Sequence, residues 1–241
     1  MNKMITAFVF VALSSVSAKA AELPDFGIFS LTGGIAANQS VFGATAKQDK
    51  YARTGGTIAA TNKESGAFTE SFGSQFVELG VGPYISFGYE HVPDSISTPE
   101  NINSGGSVNG KTNAGDTSKV SVDFNDFNTV YAKLNTPWGI YLKAGTVETD
   151  IDIKETQLSG NTYKNKSVSG TSMGGGYEKF LGESGFSFRL EANYIELDNV
   201  TVDNGQTRTN GTGVKNFKEI KATNLEGLTG KMALAYTFGK N

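Results

Sequence analysis

The sequence predicts an all-β protein, an up-and-down antiparallel barrel of eight strands, with ten as the alternative count. Three observations carry that prediction. Beyond residue 20, hydrophobic residues recur with period two and show almost no helical periodicity. The segments between them alternate strictly between short and long. The chain also finishes on a two-faced strand, "KMALAYTFGKN", in which Met232, Leu234, Tyr236 and Phe238 face one way and Lys231, Ala233, Ala235 and Thr237 the other. Such a strand must pair with an earlier one, and closure onto the first strand removes the open edge.

The bulk numbers fit one such domain. The chain has 241 residues, with 30 Gly, 5 Pro, 16 Phe and 9 Tyr, but one Trp, one His and no Cys. A mean hydropathy of −0.26 argues against an α-helical membrane protein. Without cysteine there is no disulfide framework and no thiolate metal site. A single histidine removes most His-based metal sites and catalytic triads. No cofactor is implied.

Residues 1–20, "MNKMITAFVFVALSSVSAKA", have the layout of a cleaved export signal: Lys3 at the start, an apolar run from Met4 to Leu13, and Ala18-Lys19-Ala20 at the end. The run is too short to span a bilayer as a helix. Cleavage is expected after Ala20, leaving residues 21–241 as a single domain. Removing Lys3 and Lys19 leaves 19 basic against 24 acidic side chains, a formal charge of −5. That balance excludes nucleic acid as a partner.

The eight strands are read in order at 27–46, 67–81, 84–93, 119–134, 138–151, 167–180, 185–198 and 222–238. The first, "FSLTGGIAANQSVFGATAK", is long. A turn at Ala37-Asn38-Gln39-Ser40, together with a split of 66–81 near Phe76-Val77, would give ten strands. The fourth, "KVSVDFNDFNTVYAKL", places Val120, Val122, Phe124, Val130, Ala132 and Leu134 on one face. In the fifth, Ile140, Leu142 and Ala144 oppose Tyr141, Lys143 and Gly145. The sixth puts Gly174 and Gly176 on the face opposite Gly175, and tight wall curvature accounts for glycines there. In the seventh, Phe186, Phe188, Leu190, Ala192 and Tyr194 oppose Ser187, Arg189, Glu191 and Asn193. Short links "GVGP", "NTPW" and "FLGESG" join strands two to three, four to five and six to seven. The other four links are long and rich in Gly, Asn, Thr, Ser and charge.

Alternation alone does not say which face meets water, so the charge inventory must. Opposite the apolar faces lie Glu78, Glu90, Glu178 and Glu191 together with Lys133, Lys143, Arg189 and Lys231, four acids and four bases. Inside a narrow barrel these must pair, because an unpartnered buried charge costs several kcal/mol. On the outside of a soluble sheet they need not. Phe29, Tyr84, Trp138, Phe180, Phe186, Tyr236 and Phe238 gather at strand ends beside the short links or the chain ends. This is where an interfacial aromatic girdle would stand. Together these features point to a transmembrane barrel, with a soluble periplasmic or secreted β-protein as the competing class.

An exported chain of amphipathic strands ending in "LAYTF" resembles the bacterial outer-membrane β-barrel proteins, closest to the small OmpA/OmpX-like (porin-like) class. In that class the final residue is usually the aromatic itself, whereas Phe238 here is followed by Gly239, Lys240 and Asn241. The resemblance covers residues 27–238 as a pattern of strands, turns and loops and carries no catalytic motif. It implies the outer membrane of a Gram-negative bacterium, lipid and lipopolysaccharide as surroundings, and the barrel-assembly machinery as a partner during biogenesis. It also implies short periplasmic turns and long extracellular loops able to meet an extracellular ligand.

Chemistry is sparse. His91 sits in "FGYEHVPDS" with Glu90, Asp94 and Ser95 nearby, but alternation puts Glu90 and His91 on opposite faces and Pro93 interrupts the strand. A rim histidine is expected rather than a Ser–His pair. The acidic runs "DNGQTRTNGTG" and "DTSKVSVDFND" lack the spacing of a calcium loop. Eight strands enclose an interior that side chains can fill, and Tyr131, Tyr141, Phe127 and the charge set project into it. The expectation is a non-enzymatic barrel with a filled, polar lumen, serving envelope integrity, surface attachment or recognition through its loops. The alternative is a small porin or OmpW-like channel for small solutes.

Overall fold

The computed structural model describes residues 27–51, 58–104, 107–108, 111–112, 117–156, 163–203 and 218–239. The expected leader, residues 1–20, and the middles of the long links lie outside them. Eight strands form the wall: β1 (Phe29–Tyr51), β2 (Ile58–Val81), β3 (Ile85–Val92), β4 (Thr117–Asn135), β5 (Ile140–Thr156), β6 (Lys166–Phe180), β7 (Phe186–Leu197) and β8 (Lys218–Phe238). Each pairs antiparallel with the next. The terminal strand closes on the first, from Leu31↔Phe238 to Lys50↔Lys218, so the ring has eight members. β1 runs through Ala37–Ser40 without a turn, which removes the ten-strand alternative. Gly82 (φ 63°) and Gly139 (φ 84°) let the chain reverse in the shortest links, where a Cβ would strain the backbone.

The wall is taller at the long-link end than the alternation suggests. Residues 47–51 and 58–66 continue the β1–β2 ladder to Tyr51↔Ile58, although they carry no apolar stripe. Past Pro93 the chain returns to β4 through Ile96–Ser97 and Asn101–Ser104, and past Asn199 it follows β8 through Val200–Asp203. Pairing with a neighbour stabilises these extensions, and strand above the lipid zone needs no apolar face.

β4 corrects one reading of faces. Asp126 adopts φ 49° and the register with β5 shifts between Asn125 and Asn128. This bulge absorbs an odd residue and exchanges the two sides of the strand. Val122 and Phe124 therefore point into the barrel, whereas Val130 and Leu134 point out, 59% and 56% exposed.

Elsewhere the two faces divide cleanly. Phe29, Leu31, Val77, Leu79, Ile85, Phe87, Leu142, Met173, Leu190, Met232 and Leu234 stand exposed on the outer wall. Thr32, Ser74, Glu78, Glu90, Lys133, Lys143, Arg189, Glu191 and Lys231 are buried within. On β1 the outward run Phe29, Leu31, Ile35, Ala37 meets its first polar side chain at Gln39, after about the ten residues that a tilted strand needs to cross hydrocarbon, with Val41 beyond it. Its upper limit is a polar row. The Ser71 hydroxyl donates to Gln39 (2.5 Å), Tyr89 to Asn128 (2.6 Å) and Tyr194 to Glu226 (2.8 Å).

Candidate functional site

The lumen is built in two layers. In the layer nearer the short turns, all eight charged residues singled out in the sequence come together as two neutral clusters. In one, Glu78 takes Lys133 at 2.7 Å and both terminal nitrogens of Arg189 at 2.8 Å; Glu178 takes Arg189 at 3.0 Å and Lys133 at 3.4 Å. In the other, Glu90 contacts Lys231 (2.6 Å) and Lys143 (3.0 Å), and Glu191 contacts both lysines at 3.1 Å. Each cation thus touches both carboxylates of its cluster.

Two tyrosines tie the clusters together. Tyr131 donates to Glu78 at 2.8 Å while Lys143 of the other cluster sits 3.9 Å from its ring centre. Tyr141 donates to Glu191 at 2.8 Å while Lys133 lies 5.2 Å from its ring. Arg189 also covers Phe76 at 4.9 Å. Charge-assisted bonds, cation–π contacts and local neutrality together offset the desolvation of eight ions. Glu178–Arg189 and Glu191–Lys231 join neighbouring strands, whereas Glu78–Arg189 and Glu90–Lys231 reach three strands around the ring, so the network crosses the lumen.

The rings fit because glycines face them. Gly34 pairs with Phe76, Gly88 with Tyr131 and Gly176 with Tyr141. A Cβ at these glycines would stand 2.3, 2.3 and 2.6 Å from the ring or hydroxyl atoms opposite. Each aromatic lies over its glycine partner, which lets large side chains fold flat in a narrow bore.

Above this plug the lumen changes character, which corrects the expectation of a polar interior throughout. Val92, Ile96, Phe127, Val147 and Ile195 form one buried cluster, and Ile151, Tyr163, Val168, Val200, Val202 and Leu225 a second. Ile96, Phe127 and Ile195 of the first and Ile151, Val200, Val202 and Leu225 of the second line a cavity of about 130 Å³, together with Phe42, Phe68, Val122, Phe124 and Ile220. Phe42 stacks on Phe68 with centroids 5.4 Å apart. The sequence carries a signal for this layer that alternation by segment missed. In β5 the apolar phase inverts after Ala144, so that Val147, Ile151 and Ile153 fall on the parity of Tyr141 and Lys143, with Glu148, Asp150 and Asp152 opposite.

The wall beside the cavity is irregular. β1 and β8 lose register between Gly43 and Thr45, opposite Asn224 at φ 53°. Gly43, Ala44, Glu226 and Gly227 line both the inner cavity and a depression on the outer wall bounded by Val41, Tyr194 and Leu228. At the other end, an open mouth of about 650 Å³ leads up to Glu78, Lys133 and Arg189.

The remaining candidates divide. Phe29, Tyr84 and Trp138 are exposed beside the short turns, Trp138 to 77%. Phe186, Tyr236 and Phe238 make an outward edge-to-face chain with centroids 4.8 and 4.6 Å apart. Phe180 departs from them: it pairs with buried Ser187 on the inward side and lines the mouth. His91 meets Asn128 at 2.7 Å, while Ser95 bonds Asn125, so histidine and serine are not joined. Among the described residues no group of three acids or histidines is arranged to hold a metal ion.

A closed ring of eight antiparallel strands, an apolar outer belt and an ion-paired lower lumen define a transmembrane β-barrel of the small outer-membrane type. Among solved structures the chain is similar to the outer-membrane protein OprG from Pseudomonas aeruginosa, with a TM-score of 0.53 at 8% identity over 86% of this chain and 97% of that one. It is also similar to AlkL, solved in lipid bilayers (TM-score 0.39, 14% identity, 92% and 94% covered). Ail of Yersinia pestis, solved with the heparin analogue sucrose octasulfate, gives a TM-score of 0.36 at 9% identity over 85% and 99%. The OprG likeness supports the fold; the other two are too distant to carry an argument. No protein-family model matches the chain, and no curated protein matches it.

Proposed function

We propose that this barrel sits in the outer membrane of a Gram-negative bacterium, short turns toward the periplasm, and captures small apolar molecules in the upper layer of its lumen. The observation that carries this reading is the apolar cavity standing on an ion-paired plug. A dry apolar cavity of comparable volume, about 150 Å³, holds a benzene-sized guest, so the 130 Å³ here suits a ring or chain of roughly six carbons. The plug opposes passage along the axis. The bulged β1–β8 seam at Gly43 and Gly227 offers the guest a sideways path to the outer wall at the upper edge of the apolar belt. The chemistry is non-enzymatic, and the girdle of Phe29, Tyr84, Trp138, Phe186, Tyr236 and Phe238 seats the barrel at the periplasmic interface. The barrel-assembly machinery is the expected partner during insertion.

The test is methyl NMR of the full chain in lipid nanodiscs titrated with benzene. Saturable shifts at Ile151, Val200 and Val202, lost in Ala44→Phe, support the reading. Absence of shifts, or open-channel conductance of the native protein in planar bilayers, contradicts it.

A second reading, surface attachment, recognition or envelope integrity, draws on the tall extension of β1 and β2 beyond the lipid zone. Loss of host-surface or lipopolysaccharide contact on trimming residues 47–64, with benzene binding intact, would favour it.

A further inference from the structure

Between the plug and the apolar cavity lies a smaller chamber of about 30 Å³, lined by Asn38, Thr129, Lys143, Ser172, Asn193 and Lys231 among others. Phe127 and Ile195 line both spaces, forming the floor of one and the roof of the other. Two residues of its lining, Asn38 and Asn193, each carry a buried amide oxygen with no hydrogen-bond donor among the described residues. Their orientation is fixed by chemistry. Asn38 Nδ2 donates to Ser74 Oγ (2.9 Å) and the Phe72 carbonyl (3.3 Å), and Asn193 Nδ2 donates to Glu191 at 2.6 Å. A carbonyl and a carboxylate only accept, so flipping either amide would set oxygen against oxygen. Both asparagines are 5% exposed, and a buried acceptor without a donor is costly.

The surroundings restrict what can satisfy them. The cluster above which they sit is already neutral, two carboxylates against two lysines, with every member paired. A guest carboxylate would bring a third negative charge and only acceptors to face the orphan oxygens. A guest ammonium would bring an unbalanced cation beside Lys143 and Lys231. Either charge, desolvated and uncompensated, is disfavoured. A neutral hydroxyl brings a donor and no charge.

From this geometry we infer that the barrel selects small alcohols: the hydroxyl enters the chamber and donates to Asn38 or Asn193, while about six carbons fill the apolar cavity above. The inference rests on the apolar-cavity reading and assigns its guest a head group. Phe127 and Ile195 must part to admit the hydroxyl, which makes them the selectivity threshold.

The experiment uses the full chain in nanodiscs with four probes: benzene, 1-hexanol, hexanoate and hexylammonium. Methyl signals of Ile151 and Val202 report the cavity; the side-chain amide signals of Asn38 and Asn193 report the chamber. 1-Hexanol is expected to shift both sets and to bind about tenfold more tightly than hexanoate or hexylammonium, the scale of one hydrogen bond to an otherwise unsatisfied group. Asn38→Leu and Asn193→Leu are each expected to weaken 1-hexanol several-fold while leaving benzene unchanged. Should one variant fail to insert, the other and the native head-group ranking decide. Equal binding of the three six-carbon chains, or undisturbed amide signals, overturns the inference while benzene binding still supports the cavity. Failure of benzene to bind overturns the cavity reading itself.

Discussion

Arg189 closes a fork on Glu78: Nη1 and Nη2 each donate to one carboxylate oxygen at 2.8 Å, joining β7 to β2 across the lumen. Glu78→Gln removes one negative charge from a neutral cluster and leaves Lys133 and Arg189 facing only Glu178. Breaking a buried pair in this way costs about 3–5 kcal/mol. The double variant Glu78→Gln/Arg189→Met restores neutrality and should recover most of the loss. Urea unfolding in lipid vesicles, read by the gel shift of unheated samples, measures both.

The ring-over-glycine pairs make a contrast within one residue type. At Gly88 a Cβ would stand 2.3 Å from Tyr131, whereas at Gly33 on the outer wall it meets nothing within 4 Å. Gly88→Ala should destabilise by about 1–3 kcal/mol through overpacking. Gly33→Ala should be neutral or slightly stabilising, since alanine loses less backbone entropy on folding. The same vesicle assay checks the pair.

Charge placed on the lipid face should follow depth. Leu190 is 48% exposed in the middle of β7, next to Arg189, which is 4% exposed. Leu190→Arg is expected to cost about 2–4 kcal/mol as a midplane substitution. The same change at Ser71, in the polar upper row, should cost about 1 kcal/mol or less.

Above the lipid zone one carboxylate gives a pH signature. Burial works to raise the pKa of Asp123, but hydrogen bonds from Lys154 and Ser97 and the lysine's charge outweigh it, and the group titrates below the ordinary 3.8. A depressed folded pKa stabilises the fold above the unfolded value, and that contribution fades as pH falls through the folded one. Carbon-detected NMR titration should find Asp123 below 3.8 in the native chain and higher in Lys154→Met. An unchanged value in the variant would sink this assignment.

The parts of this protein that were legible in the sequence are those where a face meets lipid. Leu142, Leu190 and Leu234 alternate with Lys143, Arg189 and Ala233 because hydrocarbon lies on one side and a charged bore on the other. Strand order, closure and the list of ionic residues follow from that contrast. Four features fall outside its reach. Residues 47–51 and 58–66 join the wall in water, where no apolar stripe is required. The Asp126 bulge exchanges the faces of β4 without leaving a glycine or proline to mark it. The apolar upper lumen was visible only as a phase inversion within a strand, such as Ala144 to Val147, and a segment-by-segment alternation averages that away. Which cation pairs with which carboxylate depends on register across the ring, and no local pattern encodes it.

The central claim is the division of the wall into a lipid side and an ionic side. The chain has no cysteine, so single cysteines at Leu142, Leu190 and Leu234 can carry a nitroxide each in otherwise native protein reconstituted in bilayers. Oxygen dissolved in the membrane should relax all three nitroxides fast, and a water-soluble nickel chelate should relax them little. Ready access of the chelate to these positions, with oxygen access low, would contradict the claim.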